Sequence, residues 1–342
     1  MLWSPADGPG DRLRKMARYD LILSGVEEYG LEWEKPTSRG LAEAFRADSI
    51  AQGRNTIQKL SDLNPNAIIL FETYFFEANE RDYPKDSPWW YRDAAGKRVR
   101  FWEGCYNMDV ANPEYQAHIV RRIRAAHEAL EGRAGLFLDN LRYSAGEKAA
   151  WLEMITKIRD ACGAIPILVN AGWESQDLEW IAPGVNGIMY EDSMHHTEDG
   201  DQEAFYGRVN RHMSMMREPR ISVNEIFDEK RSQSGMLREM ARTLCYTDAY
   251  FLYADSTYGH KHAWRREWDA RLGEPAGPPL EPAKGMLARR GFSRGEALWL
   301  PASAPGDQIV KLDRPLRPAG GGKAVRELRL KPGDGVVLVA AD

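Results

Sequence analysis

The chain reads as an α/β protein, a (β/α)8 TIM barrel followed by a small antiparallel β domain. Three observations carry that reading: eight short, continuously apolar runs, helix signals in the segments between them, and a change of character near Gly273. Continuous rather than alternating hydrophobicity suits strands covered on both faces, as in a parallel sheet. Eight strand and helix units in about 250 residues match a barrel. A doubly wound open sheet is the rival, weakened because no GxGxxG follows the first run.

The runs are YDLILSG from Tyr19, AIILFETYF from Ala67, YNMDV from Tyr106, GLFLDN from Gly135, IPILVNAG from Ile165, GIMYED from Gly187, RISVNE from Arg220 and AYFLYAD from Ala249. After the third, Asn112 is a helix cap, Pro113 fits the first turn, and Tyr115, Ile119, Ile123 and Leu130 share one face. After the fourth, Ser144 and Glu147 have capping-box spacing, ahead of the apolar stripe Trp151, Met154, Ile155 and Ile158. Gln202 to Met216 and Gly235 to Cys245 are read as helices too.

From Gly273 a Pro- and Gly-rich connector, GEPAGPPLEPAKG, leads into short strands separated by turn residues. The expected organisation is an N-terminal extension over 1–18, the barrel over 19–272, a linker over 273–283 and a β-sandwich-like domain over 284–342.

Composition narrows the partners. The 342 residues are 43% hydrophobic and 28% charged, as in a globular protein that buries a core. A net charge of −5 leaves no electrostatic footprint for nucleic acid. No apolar run approaches the roughly 20 residues of a membrane span, so no membrane partner is expected. The start, MLWSPADGPGDRLRKMARYD, shows no signal-peptide core, which fits either an internal protein or a processed form. Three widely spaced cysteines, Cys105, Cys162 and Cys245, read as unpaired thiols. Oligomeric state is not legible.

In barrel enzymes the chemistry sits where strands run into helices. The ends of the eight runs gather polar groups: Ser24, Glu72 with Tyr74, Asp109, Asp139 with Asn140, Asn170, Glu191 with Asp192, Asn224 with Glu225, and Asp255. Like charges in a cleft raise one another's pKa, so a rim this acidic suits proton-transfer chemistry. Glycoside hydrolysis needs two carboxyl groups, one protonated and one ionised, and Asp139 and Glu191 fit best at the ends of the fourth and sixth runs. Their structural alternatives are a helix cap and a rim salt bridge. Glu225 competes for either role.

Aromatic residues add a second clue. In SPWWYRDAAGKRVRFWEGCYN a turn at Asp93-Ala94-Ala95-Gly96 is flanked by Trp89, Trp90, Tyr91, Phe101 and Trp102, and flat rings suit the C–H face of a sugar as well as they suit core packing. Trp173 follows LVNAG directly, and Tyr190 adjoins Glu191, so both are placed to line a site. His195-His196 and His260-Lys261-His262 lie in loops without a full ligand set, so no metal and no cofactor is expected, and His260 reads as a substrate hydrogen-bonding residue. No phosphate loop and no GxSxG elbow is present.

YNMDVANPEYQAHIVRRI, GLFLDNLRY, PILVNAG, NGIMYEDS and WDARLGEPAGPP…RRGFSRGEALWLP together resemble glycoside hydrolase-like family 15 and, more distantly, the endo-α-1,4-polygalactosaminidases of family 114. The resemblance covers most of the chain and rests on the order and spacing of short motifs. It implies a barrel acting on a polysaccharide or oligosaccharide, an acidic pair that maps onto Asp139 and Glu191, and export to a secreted or periplasmic location. By analogy with barrels that act on α-linked sugars, Asp139 is the expected nucleophile and Glu191 the expected acid/base. The expected activity is that of an endo-acting, retaining glycosidase on a bacterial exopolysaccharide. A carbohydrate-binding barrel without hydrolysis and a metal-dependent deacetylase or amidohydrolase are the alternatives.

Overall fold

A computed structural model describes residues 1–3, 10–35, 39–143, 146–196, 202–228, 232–254 and 264–340. Eight parallel strands follow one another in chain order around a TIM barrel: β1 (Leu2–Trp3), β2 (Leu21–Ser24), β3 (Ile68–Tyr74), β4 (Gly135–Asp139), β5 (Ile167–Asn170), β6 (Gly187–Glu191), β7 (Val223–Phe227) and β8 (Tyr250–Ala254). The helices are α1 (Arg12–Met16), α2 (Ala47–Leu63), α3 (Pro113–Ala129), α4 (Glu147–Cys162), α5 (Gln202–Met215) and α6 (Gln233–Tyr246). The chain divides into two compact units, one of Met1–Gly172, Asp177–Glu191 and Met215–Ser222, the other of Trp173–Gln176, Asp192–Ser214 and Val223–Asp342.

Two corrections follow. Leu2–Trp3, expected within an extension, pairs parallel with β2, placing Leu2 beside Ile22 and Trp3 beside Leu23. YNMDV, expected as the third barrel strand, instead supplies Cys105–Asn107 to a three-stranded antiparallel sheet, between Glu77–Asn79 and Arg100–Trp102. The anticipated turn is in place there: Asp93 Oδ1 accepts from the N–H groups of Ala95 and Lys97, both at 2.9 Å.

Every residue of β2, β4 and β5 is buried, as continuous apolar runs require. β4 and β6 each begin with glycine for a steric reason. A Cβ at Gly135 would sit 2.6 Å from Leu70 Cδ2 and 2.8 Å from the Pro166 carbonyl oxygen. One at Gly187 would sit 2.7 Å from the carbonyl carbon of Ile221. Close approach of neighbouring backbone therefore excludes a side chain at both positions.

α3 starts as expected. Asn112 accepts from the N–H of Glu114 at 3.0 Å and of Tyr115 at 3.2 Å, and Tyr115, Ile119 and Ile123 are buried. Asn112→Ala removes an acceptor for two orphan helix donors and is expected to cost about 1 kcal/mol, read as a lower urea midpoint at unchanged slope. α4 begins at Glu147 after Gly146, while the expected cap Ser144 lies outside the described residues.

In the second unit, Ala288–Phe292, Gly295–Trp299, Gln308–Pro318, Val325–Leu330 and Gly335–Ala340 form one antiparallel five-stranded sheet. Leu298, Leu300, Leu316, Leu330 and Leu338 form its core on one face, and Val337 packs with Ala241 of α6 on the other. A helix thus covers the face that a second sheet would cover in a sandwich. The buried Arg290 fastens the sheet to the end of α6, donating to the carbonyls of Leu244 at 2.9 Å and Thr247 at 3.1 Å and pairing with Asp248 at 2.6 Å. All three cysteines are unpaired. Among the described residues no helix is long and apolar enough to cross a membrane.

Candidate active site

Side chains alternate across a strand, so Glu72 and Tyr74 share one face of β3 and Phe137 and Asp139 share one face of β4. Pairing of β3 with β4 sets Glu72 beside Phe137 and Tyr74 beside Asp139. Trp3 fills the layer beneath, its ring edge-on to Phe137 at 5.4 Å and its Nε1 donating to Glu72 Oε1 at 3.3 Å. Asp139 lies one step above this packing, at the carboxyl end of β4.

Asp139 is 3% exposed, and each of its oxygens is held by an amide. Asn140 Nδ2 donates to Oδ2 at 2.9 Å, and Asn170 Nδ2, from the end of β5, donates to Oδ1 at 2.9 Å. These bonds offset the desolvation of a buried carboxylate. The same Asn170 nitrogen donates to Glu191 Oε2, at the end of β6, at 2.8 Å. Gly172 N–H donates to Asn170 Oδ1 at 2.8 Å, which fixes which end of the amide is nitrogen. Oxygens bonded to the two hydrogens of one planar amide lie about 5 Å apart, so one side chain bridges Asp139 and Glu191.

The chain of amides and carboxyls runs further. Asn140 Nδ2 also donates to Glu77 Oε1 at 2.6 Å. Asn140 holds φ at 55°, a left-handed value that Asn tolerates better than most side chains and that turns the backbone sharply off the end of β4. Glu77, three residues beyond Tyr74 at the end of β3, was not singled out from the sequence. Its signal was a lone carboxylate inside the apolar stretch YFFEAN.

Tyr74 has an exposed ring, yet burial around its hydroxyl, followed by the charges of Glu72, Asp139 and Glu77, raises its pKa. Trp102 is 47% exposed and lines a cavity of about 370 Å³ together with Glu72, Tyr74 and Glu77. Tyr91 of the insert is exposed as well, whereas Trp89 and Trp90 pack inward. Trp90 is buried with Nε1 donating to the Pro84 carbonyl at 2.7 Å, and Trp89 stacks on His118 of α3 at 4.6 Å.

Several expected rim residues lie elsewhere. Asp109 is not at a barrel strand end, because its run is not a barrel strand; its Oδ1 accepts from Ala111 N–H at 3.3 Å in the turn before α3. Tyr190 is fully buried on the face of β6 opposite Glu191, and that burial raises its pKa. Glu225 is buried within β7, and it belongs with Trp173 to the second unit. In that unit Trp173 is 48% exposed and stacks on His196 at 4.2 Å, while Asp192 Oδ1 lies 2.7 Å from His195 Nδ1 and accepts from Phe227 N–H at 3.0 Å. The bond to Asp192 raises the pKa of His195, against the opposing effect of burial. Asp255 and His260 lie outside the described residues. Among the described residues no group of three or more His, Cys, Asp or Glu side chains is arranged to hold a metal ion.

A model of hypothetical glycosyl hydrolase family 15 matches residues 66–296, from the start of β3 into the second strand of the terminal sheet. The chain belongs to this family. The chain is accordingly a glycosidase, and carbohydrate is its substrate class. No curated protein sequence matches the chain. Solved structures of similar fold include a maltogenic α-amylase of Thermotoga neapolitana, 10% identical with a TM-score of 0.58 over 99% of this chain and 98% of that one. The cyclic α-maltosyl-(1→6)-maltose hydrolase of Arthrobacter globiformis is 13% identical, with a TM-score of 0.58 over 99% of this chain and 92% of that one. An Anoxybacillus α-amylase is 12% identical, with a TM-score of 0.56 over 96% and 89%. At such identities the likeness speaks for the fold of this chain and not for its substrate.

Proposed function

We propose that the chain is a retaining, endo-acting glycosidase in which Asp139 is the nucleophile and Glu191 the acid/base. The observation that carries this reading is the single Asn170 nitrogen bonded to both carboxyl groups, at 2.9 and 2.8 Å. Retaining enzymes hold their two carboxyls about 5 to 5.5 Å apart, whereas inverting ones leave about 6.5 to 9.5 Å for a water. The spacing that one shared amide accommodates, about 5 Å, suits the first range.

The chemistry follows from that spacing. Glu191 gives its proton to the glycosidic oxygen as that bond breaks, and Asp139 attacks the anomeric carbon from the opposite face. A covalent glycosyl ester forms on Asp139. Glu191, now ionised, takes a proton from water, which displaces Asp139 and restores the original anomeric configuration. Asn170 and Asn140 keep the nucleophile oriented throughout.

Endo action and a bacterial exopolysaccharide substrate come from the motif resemblance. Purified protein incubated with a panel of microbial exopolysaccharides is expected to release oligosaccharides of intermediate size, resolved by mass spectrometry. Proton NMR of the first turnovers should show products with the anomeric configuration of the substrate. First products of inverted configuration would sink the nucleophile assignment, and binding without any release of reducing ends would favour a carbohydrate-binding barrel.

A further inference from the structure

The cavity beside β3 has a volume of about 370 Å³, and its wall includes Glu72, Tyr74, Glu77, Tyr83, Trp102 and Arg122. Glu77 is its unusual member. The residue is 1% exposed, Oε1 accepts from Asn140, and Oε2 is buried without a hydrogen-bond partner. The charges acting on it, from Asp139 and Glu72, are both negative. Its other titratable neighbours are Tyr74 on β3, Cys105 on the adjoining insert strand and Tyr115 on α3. Arg39, Asp82 and Arg122 also stand on the cavity wall, but the Arg122 guanidinium is engaged by the carbonyls of Arg39, Gly40 and Ala42 and lies over Trp33.

A carboxyl taken out of water among negative charges keeps its proton. Burial first, and then the charge of Asp139, push the pKa of Glu77 well above the ordinary carboxylate value, with Glu72 adding to the rise and Asn140 and the residue's own backbone N–H opposing it. Because Oε1 accepts from the amide of Asn140, the proton belongs on Oε2, the oxygen that lacks a partner.

We propose that Glu77 turns its unpartnered Oε2 toward the cavity when a glycosyl unit is seated there and donates a hydrogen bond from it to an oxygen of that unit. The cavity is then a sugar subsite adjoining the reacting pair, and this rests on the glycosidase reading. The exposed rings of Trp102 and Tyr74 offer faces for the C–H side of the same unit. Glu77 binds, while Asp139 and Glu191 react.

Two measurements test it. Urea unfolding of wild type and Glu77→Gln across pH needs no substrate. A carboxyl with a raised native pKa leaves the native state holding more protons than the unfolded one, so wild type should lose stability relative to Glu77→Gln as pH rises above the ordinary value of 4.5. Parallel stability curves would mean that Glu77 is ionised, and would overturn the proposal. With a cleaved polysaccharide, Glu77→Ala should raise KM roughly tenfold with little change in kcat, and Glu77→Gln, whose amide N–H replaces the donor, should recover most of that loss. Equal losses in the two variants would overturn the donor role. Failure of the catalytic reading would show separately, as turnover persisting in Asp139→Asn.

Discussion

Asp139→Asn is expected to lose turnover on a natural glycan by several orders of magnitude while remaining folded. The carboxylate accepts from Asn140 on one oxygen and Asn170 on the other, and an amide in its place keeps the shape but turns one acceptor into a donor facing another N–H. It also cannot form a glycosyl ester that water displaces. Glu191→Gln should differ in kind. General acid/base catalysis contributes about 10²- to 10⁴-fold, and most of that loss falls on the first step only where the leaving group needs a proton. An aryl glycoside with an acidic phenol should therefore restore the first step in Glu191→Gln, with glycosyl-enzyme accumulating, and should restore nothing in Asp139→Asn. Azide sharpens the contrast: with Glu191→Ala it is expected to yield a glycosyl azide of the substrate's configuration, and with Asp139→Ala one of the opposite configuration. Undiminished turnover in Asp139→Asn, or the same azide anomer from both variants, would reject the assignment.

The positions of these two acids were legible in the sequence because a buried strand that ends in a carboxylate has few structural uses for it. Their strand numbers were also correct, though through two errors that cancel. Leu2–Trp3 is too short to show any periodicity, and only its pairing with Ile22 and Leu23 makes it a strand. YNMDV does form a strand, but periodicity says nothing about partners, and its partners are Glu77–Asn79 and Arg100–Trp102. Omitting one strand and adding another before Gly135 left GLFLD fourth and GIMYE sixth. Side-chain direction was less legible. Tyr190 adjoins Glu191 in sequence and for that reason faces the other way across the sheet. Trp89 and Trp90 pack against the insert and α3, because a loop of this length needs a core of its own. Glu77 escaped notice because the strand-end rule stops at Tyr74, while the insert folds the chain three residues further back toward Asn140.

Asn170 is where the largest effect outside the acid pair is expected. One nitrogen serves both carboxyls and its oxygen is committed to Gly172, so no part of this amide is spare. Asn170→Ala removes the donor shared by Asp139 and Glu191 and also the acceptor for a buried backbone N–H. Misplacing a reacting group by an ångström costs about 10²-fold, and kcat/KM should fall by at least about that factor. A stability loss of about 2 kcal/mol should accompany it, since the groups left unsatisfied are buried. Asn170→Asp is the more discriminating change because it keeps the size of the side chain. Its carboxyl places a second negative charge beside that of Asp139, and like charges raise one another's pKa. The acid limb of kcat/KM reports ionisation of the nucleophile in the free enzyme, so that limb should move to higher pH. Asp139 must lose a proton to attack, and a neighbouring carboxylate makes that loss harder. A variant with lowered activity but an unmoved acid limb would show that Asn170 only packs, and that the proximity of Asp139 and Glu191 is set by the strands rather than by the amide they share.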